Sequence, residues 1–262
     1  KFLSENSTVL AISQSGETLD LIKAVKTAKS RGTQIISIVN VKGSSLSRLS
    51  DQNIFMNVGP EICVLSTKSY TAQVAILMLI ATALVIKPNQ AKQEIEEIIR
   101  NIYYLTSESA RKYTKELSQI LRYSNHIFTI GRGRDYATAM EAALKIKEVS
   151  YIHAEGFAGG EIKHGPIAMI EHGTPCIVFV PNQENQDILS NAQELKTRGA
   201  FIIGISEKKH EVFDYWIKVV GPDKFSPILR IIPIQALSYY LAVMKGLDPD
   251  KPRNLAKSVT VK

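Results

Sequence analysis

The sequence predicts an α/β protein of two doubly wound units with parallel sheets. Three observations carry this expectation. Strand-like and helix-like runs alternate along the whole chain. The strand runs are almost continuously apolar, as expected of strands covered on both faces. The same plan then begins again near Tyr123, dividing the chain into 1–122 and 123–262.

The elements follow in order. STVLAIS is a compact strand, and GETLDLIKAVKTAKSRG is a helix closed by Gly32. QIISIVN and NIFMNV read as the second and third strands. Residues 69–87 form an apolar helical stretch with Pro88 as its stop signal, and two more helices fall around 93–104 and 108–121. The second half opens with the strand HIFTIG and the helix DYATAMEAALKIKEVSYIH. TPCIVFVP is a strand, NQDILSNAQELKTRG a helix closed by Gly199, AFIIGIS and YWIKVV strands, and LRIIPIQALSYYLAVMKG the last helix. No low-complexity segment or Pro/Gly/Ser-rich linker interrupts the plan.

Composition narrows the class. The net charge of +7 comes from scattered lysines and arginines. It reads as a basic surface, with no concentrated basic face of the kind nucleic acid requires. Such a charge suits an anionic substrate. Cys63 and Cys176 both sit among apolar residues and are expected to be reduced core thiols. No Cys/His cluster suggests a metal site. AQVAILMLIATALVIK is short for a membrane span, and the start has no signal-peptide pattern, so a cytoplasmic enzyme with no membrane partner is expected. The chain does not begin with Met, from which a piece of a longer protein is expected.

Sheets of this kind bind ligands beyond the carboxyl ends of their strands. The loops to read are therefore residues 13–18, 40–45, 59–67, 131–134 and 156–166. The first is Ser13-Gln14-Ser15-Gly16-Glu17-Thr18. It offers three hydroxyls, an amide and a glycine that lets backbone approach a ligand, ahead of a helix N-terminus with free N–H groups. Two readings follow: a phosphate cradle, or ordinary N-capping by Ser and Thr.

Glu141, Lys145 and Glu148 share one helix face at i, i+4 and i+7. They are either a solvated ion-pair ladder or an acid–base set able to move protons beside a carbonyl. His164, in Lys163-His164-Gly165-Pro166, is an ordinary loop histidine or a proton-transfer group. His153, close by, reads as helix-face packing. Gly131-Arg132-Gly133-Arg134 invites a dinucleotide reading. It lacks the third glycine, and no acidic residue closes the following strand, so a tight strand–helix turn is expected and nicotinamide cofactors are rejected.

Four stretches together carry a resemblance: SQSGET, GPEICVLSTKSYT (59–71), ALKIKEVSYIHAEGFAGGEIKHGP (143–166) and KPRNLAKSVTVK (251–262). In order and spacing they resemble the sugar isomerase (SIS) half of the glutamine–fructose-6-phosphate aminotransferases (isomerising), or glucosamine-6-phosphate synthases. That resemblance implies two three-layer α/β SIS subdomains. It implies conversion of fructose 6-phosphate, with ammonia released from glutamine, to glucosamine 6-phosphate, without metal or organic cofactor.

By the same resemblance, Glu148 shuttles a proton between C1 and C2, Lys145 assists it, and Glu141 contributes charge or binds hydroxyls. His164 opens the sugar ring, reaching in from a neighbouring subunit, which implies a homodimer. Lys257 forms a Schiff base with the open-chain ketose. Ser13, Gln14, Ser15 and Thr18 bind the phosphate of fructose, glucose or glucosamine 6-phosphate, and Val64 and Ala256 make backbone contacts to the sugar. The implied partner within the chain is an N-terminal glutaminase domain.

The sequence departs from the family pattern at Leu65 and Gly159, where alanines are expected. It also starts after a Cys-Gly-Thr-Ser loop, so the first subdomain is expected to be incomplete. Three other readings stand beside this one: a non-catalytic sugar-phosphate-binding module, a plain aldose–ketose isomerase, and a fragment inactive by itself. The first usually carries a DNA-binding helix-turn-helix, and the second needs no Schiff-base lysine.

Overall fold

The computed structural model describes residues 3–85, 88–182 and 186–255. The described residues fold into two compact units, one of residues 3–80 with 253–255 and the other of residues 81–252.

In the first unit, β1 (Thr8–Ser13), β2 (Gln34–Val39) and β3 (Gln52–Phe55) form a parallel sheet in the order β1-β2-β3. Ser13 pairs with Val39, and Val39 with Phe55, so the three strands end level. That register brings the segments after each strand to one edge. Helices α1 (Leu19–Lys29) and α2 (Ser45–Leu49) cover the sheet, burying Val25, Ala28 and Leu46 against Ala11 and Ile35. The longer helix α3 (Lys68–Ala83) follows, and the division between the units falls within its last turn.

The second unit holds β4 (His126–Gly131), β5 (His153–Ala158), β6 (Pro175–Phe179), β7 (Phe201–Ser206) and β8 (Tyr215–Lys218). All are parallel, in the order β5-β4-β6-β7-β8. Alternation along β4 assigns its two faces. Phe128 and Ile130 pack with Ile188, Ala192 and Leu195 of α7 (Gln186–Lys196). Between them, Thr129 turns to the other face and donates its hydroxyl to the Ala139 carbonyl of α6 (Arg134–Ser150) at 2.7 Å. Helix α8 (Ser226–Met244) packs on α6. The stretch Asp223–Met244 is long and apolar enough to cross a membrane by composition, yet most of it is buried, as in a core helix.

The structure departs from the sequence expectations in four places. The units divide at Ala81 rather than near Tyr123, because α4 (Pro88–Leu105) and α5 (Glu108–Leu121) pack on α8. Pro88 opens α4 instead of merely stopping α3; a first-turn residue has no helical N–H partner to lose. His153 begins the edge strand β5, not a helix face, and the loop after that strand starts at Gly159 rather than Gly156. The run HAEGFA has too few β-branched residues to announce a strand. Finally, Cys176 is a core thiol, with burial pushing its pKa up to about 12, but Cys63 is only half-buried.

Candidate functional site

In the first unit, residues 13–18 close the carboxyl end of β1. Gly16 N–H donates to Ser13 Oγ at 2.9 Å, and Glu17 N–H donates to Ser15 Oγ at 3.2 Å. Both serines accept these bonds, and the Ser15 hydroxyl hydrogen remains for a ligand. Thr18 is the N-cap residue of α1, but its side chain makes no capping bond; its oxygen lies 3.4 Å from Ser13 Oγ. Simple N-capping therefore does not account for Thr18. The hydroxyls gather beside a helix N-terminus, where backbone N–H groups favour an anion.

Neighbouring segments brace this loop. Gly16 has φ +71°, and a Cβ there would lie 2.2 Å from Ser44 Oγ, so only glycine fits. Leu46 N–H donates to the Gly16 carbonyl at 2.9 Å. Ser45 N–H donates to Glu17 Oε1 at 2.8 Å, and this bond holds the Glu17 carboxyl below its usual range.

Gln14 lines a cleft of about 590 Å³ with Asn40, Lys42, Asn57 and Glu61 at the same sheet edge. Glu61 organises the segment holding Val64: its carboxylate accepts from Thr67 N–H (3.0 Å), Ser69 N–H (3.2 Å) and Ser69 Oγ (2.6 Å). A carboxylate at the N-terminus of α3 suits the helix dipole. Asn40 fastens the start of the segment by donating to the Gly59 carbonyl at 2.9 Å. Sequence reasoning missed Glu61 and Asn40. Glu61 stands seven residues before α3, outside the capping-box spacing.

In the second unit, α6 carries the three charged residues. Lys145 is 2% exposed, and its ammonium lies 2.9 Å from Glu141 Oε1 and 3.4 Å from Glu148 Oε2. The carboxylates are 16% and 22% exposed. A solvated ladder would show three exposed side chains; this is a buried cation held by two carboxylates, a costly arrangement without both partners. The start of α6 is fixed by a second buried group. Arg230, 3% exposed, pairs with the equally buried Asp135 and donates to Asp223 Oδ1 at 2.8 Å.

The Gly131–Arg134 segment is a tight strand–helix turn, as expected. A Cβ at Gly131 would lie 2.1 Å from the Asp135 carbonyl oxygen. Arg132 is tied to α7, donating to Asn191 Oδ1 and Asp187 Oδ2 at 3.1 Å. His164 is exposed in the turns after β5, its N–H donating to the Glu161 carbonyl at 3.0 Å. Lys257 and Ala256 lie outside the described residues.

The structure thus gathers Ser13, Ser15 and Thr18 in the first unit, and Glu141, Lys145 and Glu148 in the second. Among the described residues, no group of three or more His, Cys, Asp or Glu side chains could hold a metal ion.

Comparison with known proteins follows the same lines. The SIS domain family matches residues 2–83 and 120–245. Glutamine–fructose-6-phosphate aminotransferase (isomerizing) of Pyrococcus horikoshii is 44% identical over 265 residues, covering 99% of this chain and 44% of that protein. The protein of the same name from Thermococcus kodakarensis is 42% identical over 270 residues, covering 99% and 45%. The chain spans less than half the length of these curated relatives. Among solved structures, the C-terminal domain of glucosamine-fructose-6-phosphate aminotransferase from Francisella tularensis superimposes with a TM-score of 0.84 at 33% identity, covering 94% of this chain and 73% of that one.

Proposed function

The chain belongs to the SIS domain family, and from that premise we propose that it is the isomerase part of a glutamine–fructose-6-phosphate aminotransferase making glucosamine 6-phosphate. The observation that carries this reading is the buried Lys145 ammonium between the Glu141 and Glu148 carboxylates. A ketose-to-aldose conversion needs a base that takes a proton from C1 and returns it to C2. Glu148 has the chemistry for this, and Lys145 keeps a positive charge beside it as negative charge develops on the sugar.

In the proposed sequence, His164 of a neighbouring subunit opens the fructose 6-phosphate ring, and Ser13, Gln14, Ser15 and Thr18 take the phosphate. The Lys257 amine adds to the C2 carbonyl, and water leaves as the imine forms. Ammonia, delivered by a glutaminase domain of the same protein, displaces the lysine to give the sugar imine. Glu148 then removes a C1 proton and returns it at C2. The species between these two proton transfers is the C1–C2 enaminol, its nitrogen protonated; as C2 takes the proton, the C1 hydroxyl loses its own, giving an aldehyde at C1 and the amine on C2.

The experiment is turnover of fructose 6-phosphate and glutamine in deuterated water by the full-length protein carrying this chain, read by NMR. Protium carried from C1 is expected at C2 of the glucosamine 6-phosphate formed, diluted by deuterium only where the proton held by Glu148 exchanges with solvent before its return. The Glu148→Gln protein should bind glucose 6-phosphate normally and lose turnover by about 10²–10⁴-fold. Absence of amino-sugar formation by the unaltered protein, or full turnover by Glu148→Gln, would overturn the reading.

A further inference from the structure

Away from both clusters, the two histidines that begin β4 and β5 stand side by side. His126 and His153 are register partners at the amino ends of adjacent parallel strands. Their Nδ1 atoms are 3.2 Å apart, and the rings meet edge to face at 81°. Both side chains are exposed. They lie at the opposite edge of the sheet from the turn at residues 131–134 and the segment at 159–166, so the proposed reaction gives them no task.

A contact of this length between two imidazole nitrogens needs one hydrogen shared between two lone pairs. A cation can take the place of that hydrogen. We propose that His126 and His153 form a two-imidazole site for a divalent transition-metal ion of the zinc, nickel or copper class, held through both Nδ1 atoms. A metal bound at about 2.05 Å from each nitrogen would see the 3.2 Å separation under an angle of about 103°. That value falls between the right angle of square-planar copper or nickel and the tetrahedral angle of zinc. Imidazole selects these borderline ions over calcium or magnesium, which require oxygen ligands.

No third His, Cys, Asp or Glu joins the pair among the described residues. Water completes the coordination, and the affinity is moderate. Because both side chains are exposed, the small ring rotations that turn the lone pairs toward one ion meet little packing. His153 follows the end of α6 by three residues. The bound ion therefore ties the exit of the helix that carries Lys145 and Glu148 to the start of β4.

The test titrates zinc or nickel chloride into the chain by calorimetry, comparing the unaltered protein with His126→Gln, His153→Gln and the control His210→Gln. One ion per chain is expected, weakened by about tenfold or more in either of the first two variants and unchanged in the third; a ligand lost from a two-ligand site leaves a single imidazole. The ion should also raise the unfolding temperature of the unaltered protein and not of the double variant, since it binds only where folding brings the strands together. Without metal, the variants should unfold at the same temperature as the unaltered protein. No binding at millimolar metal would overturn the site, as would equal binding in all the variants or a loss of equal size in the His210→Gln control.

Discussion

Lys145 Nζ lies 2.9 Å from Glu141 Oε1 on the next turn of α6, with 2% of the lysine side chain exposed. Burial at that level makes the pair sensitive to loss of either member. Removing one partner of a buried pair costs about 3–5 kcal/mol, because the other charge stays buried without compensation. Lys145→Met leaves two carboxylates facing each other, whereas Glu141→Gln leaves the ammonium with Glu148. Urea unfolding should therefore place Lys145→Met well below Glu141→Gln in stability. The reverse order would mean that the lysine is held by packing of its stem.

Thr18 sets up a separation between binding and stability. Its hydroxyl does not cap α1, so Thr18→Ala should leave the unfolding midpoint close to that of the unaltered protein. Loss of a true N-cap would cost about 1 kcal/mol. Affinity for glucose 6-phosphate should fall by about 1.5–3 kcal/mol, as for one charge-assisted hydrogen bond. Ser15→Ala should behave likewise in calorimetry. Unchanged affinity in both variants would remove the phosphate assignment.

Glu61 holds the first turn of α3 and the segment containing Val64 through three accepted hydrogen bonds. Glu61→Gln retains the shape but loses the charge at the helix N-terminus. A stability loss of about 1 kcal/mol is expected, with exchange of the Thr67 and Ser69 amide hydrogens accelerated in NMR. Exchange at the unaltered rate would show that other contacts hold the segment.

Lys257 and Glu148 should fail in different ways. Lys257→Arg keeps the charge but cannot form an imine. Borohydride reduction with fructose 6-phosphate, on the full-length protein, should mark Lys257 in the unaltered and Glu148→Gln proteins. Lys257→Arg should carry no adduct at that position. Full aminotransferase activity in Lys257→Arg would refute the assignment.

His164 is exposed in a single chain, and the proposed ring-opening role needs it at a neighbour's site. Sedimentation should show a dimer. Mixing His164→Ala chains with Glu148→Gln chains should restore part of the activity, since a mixed dimer contains one site with both groups intact. A monomer, or no restoration in mixed dimers, would contradict the exchange.

The alternation of apolar runs and helical stretches was enough to predict two parallel α/β units, because buried parallel strands must be apolar on both faces. Gly16 was legible for the same local reason: a turn with positive φ and a close neighbour excludes any side chain. The spacing of Glu141, Lys145 and Glu148 placed them on one helix face, but helical spacing is identical for a solvated ladder and a buried triad. Only the tertiary structure buried Lys145, by bringing α6 against the sheet and α8. The same limit hid β5, whose six residues form a strand only because β4 offers its edge, and with it the His126–His153 pair. Glu61 was hidden as well, since its partners Thr67 and Ser69, at the start of α3, are assembled by the fold of the intervening turn. Local pattern determines which segments become helix or strand and which faces are apolar. Which charges are buried, and which distant side chains meet, depends on packing between elements, where energy comes from contacts that sequence spacing does not contain.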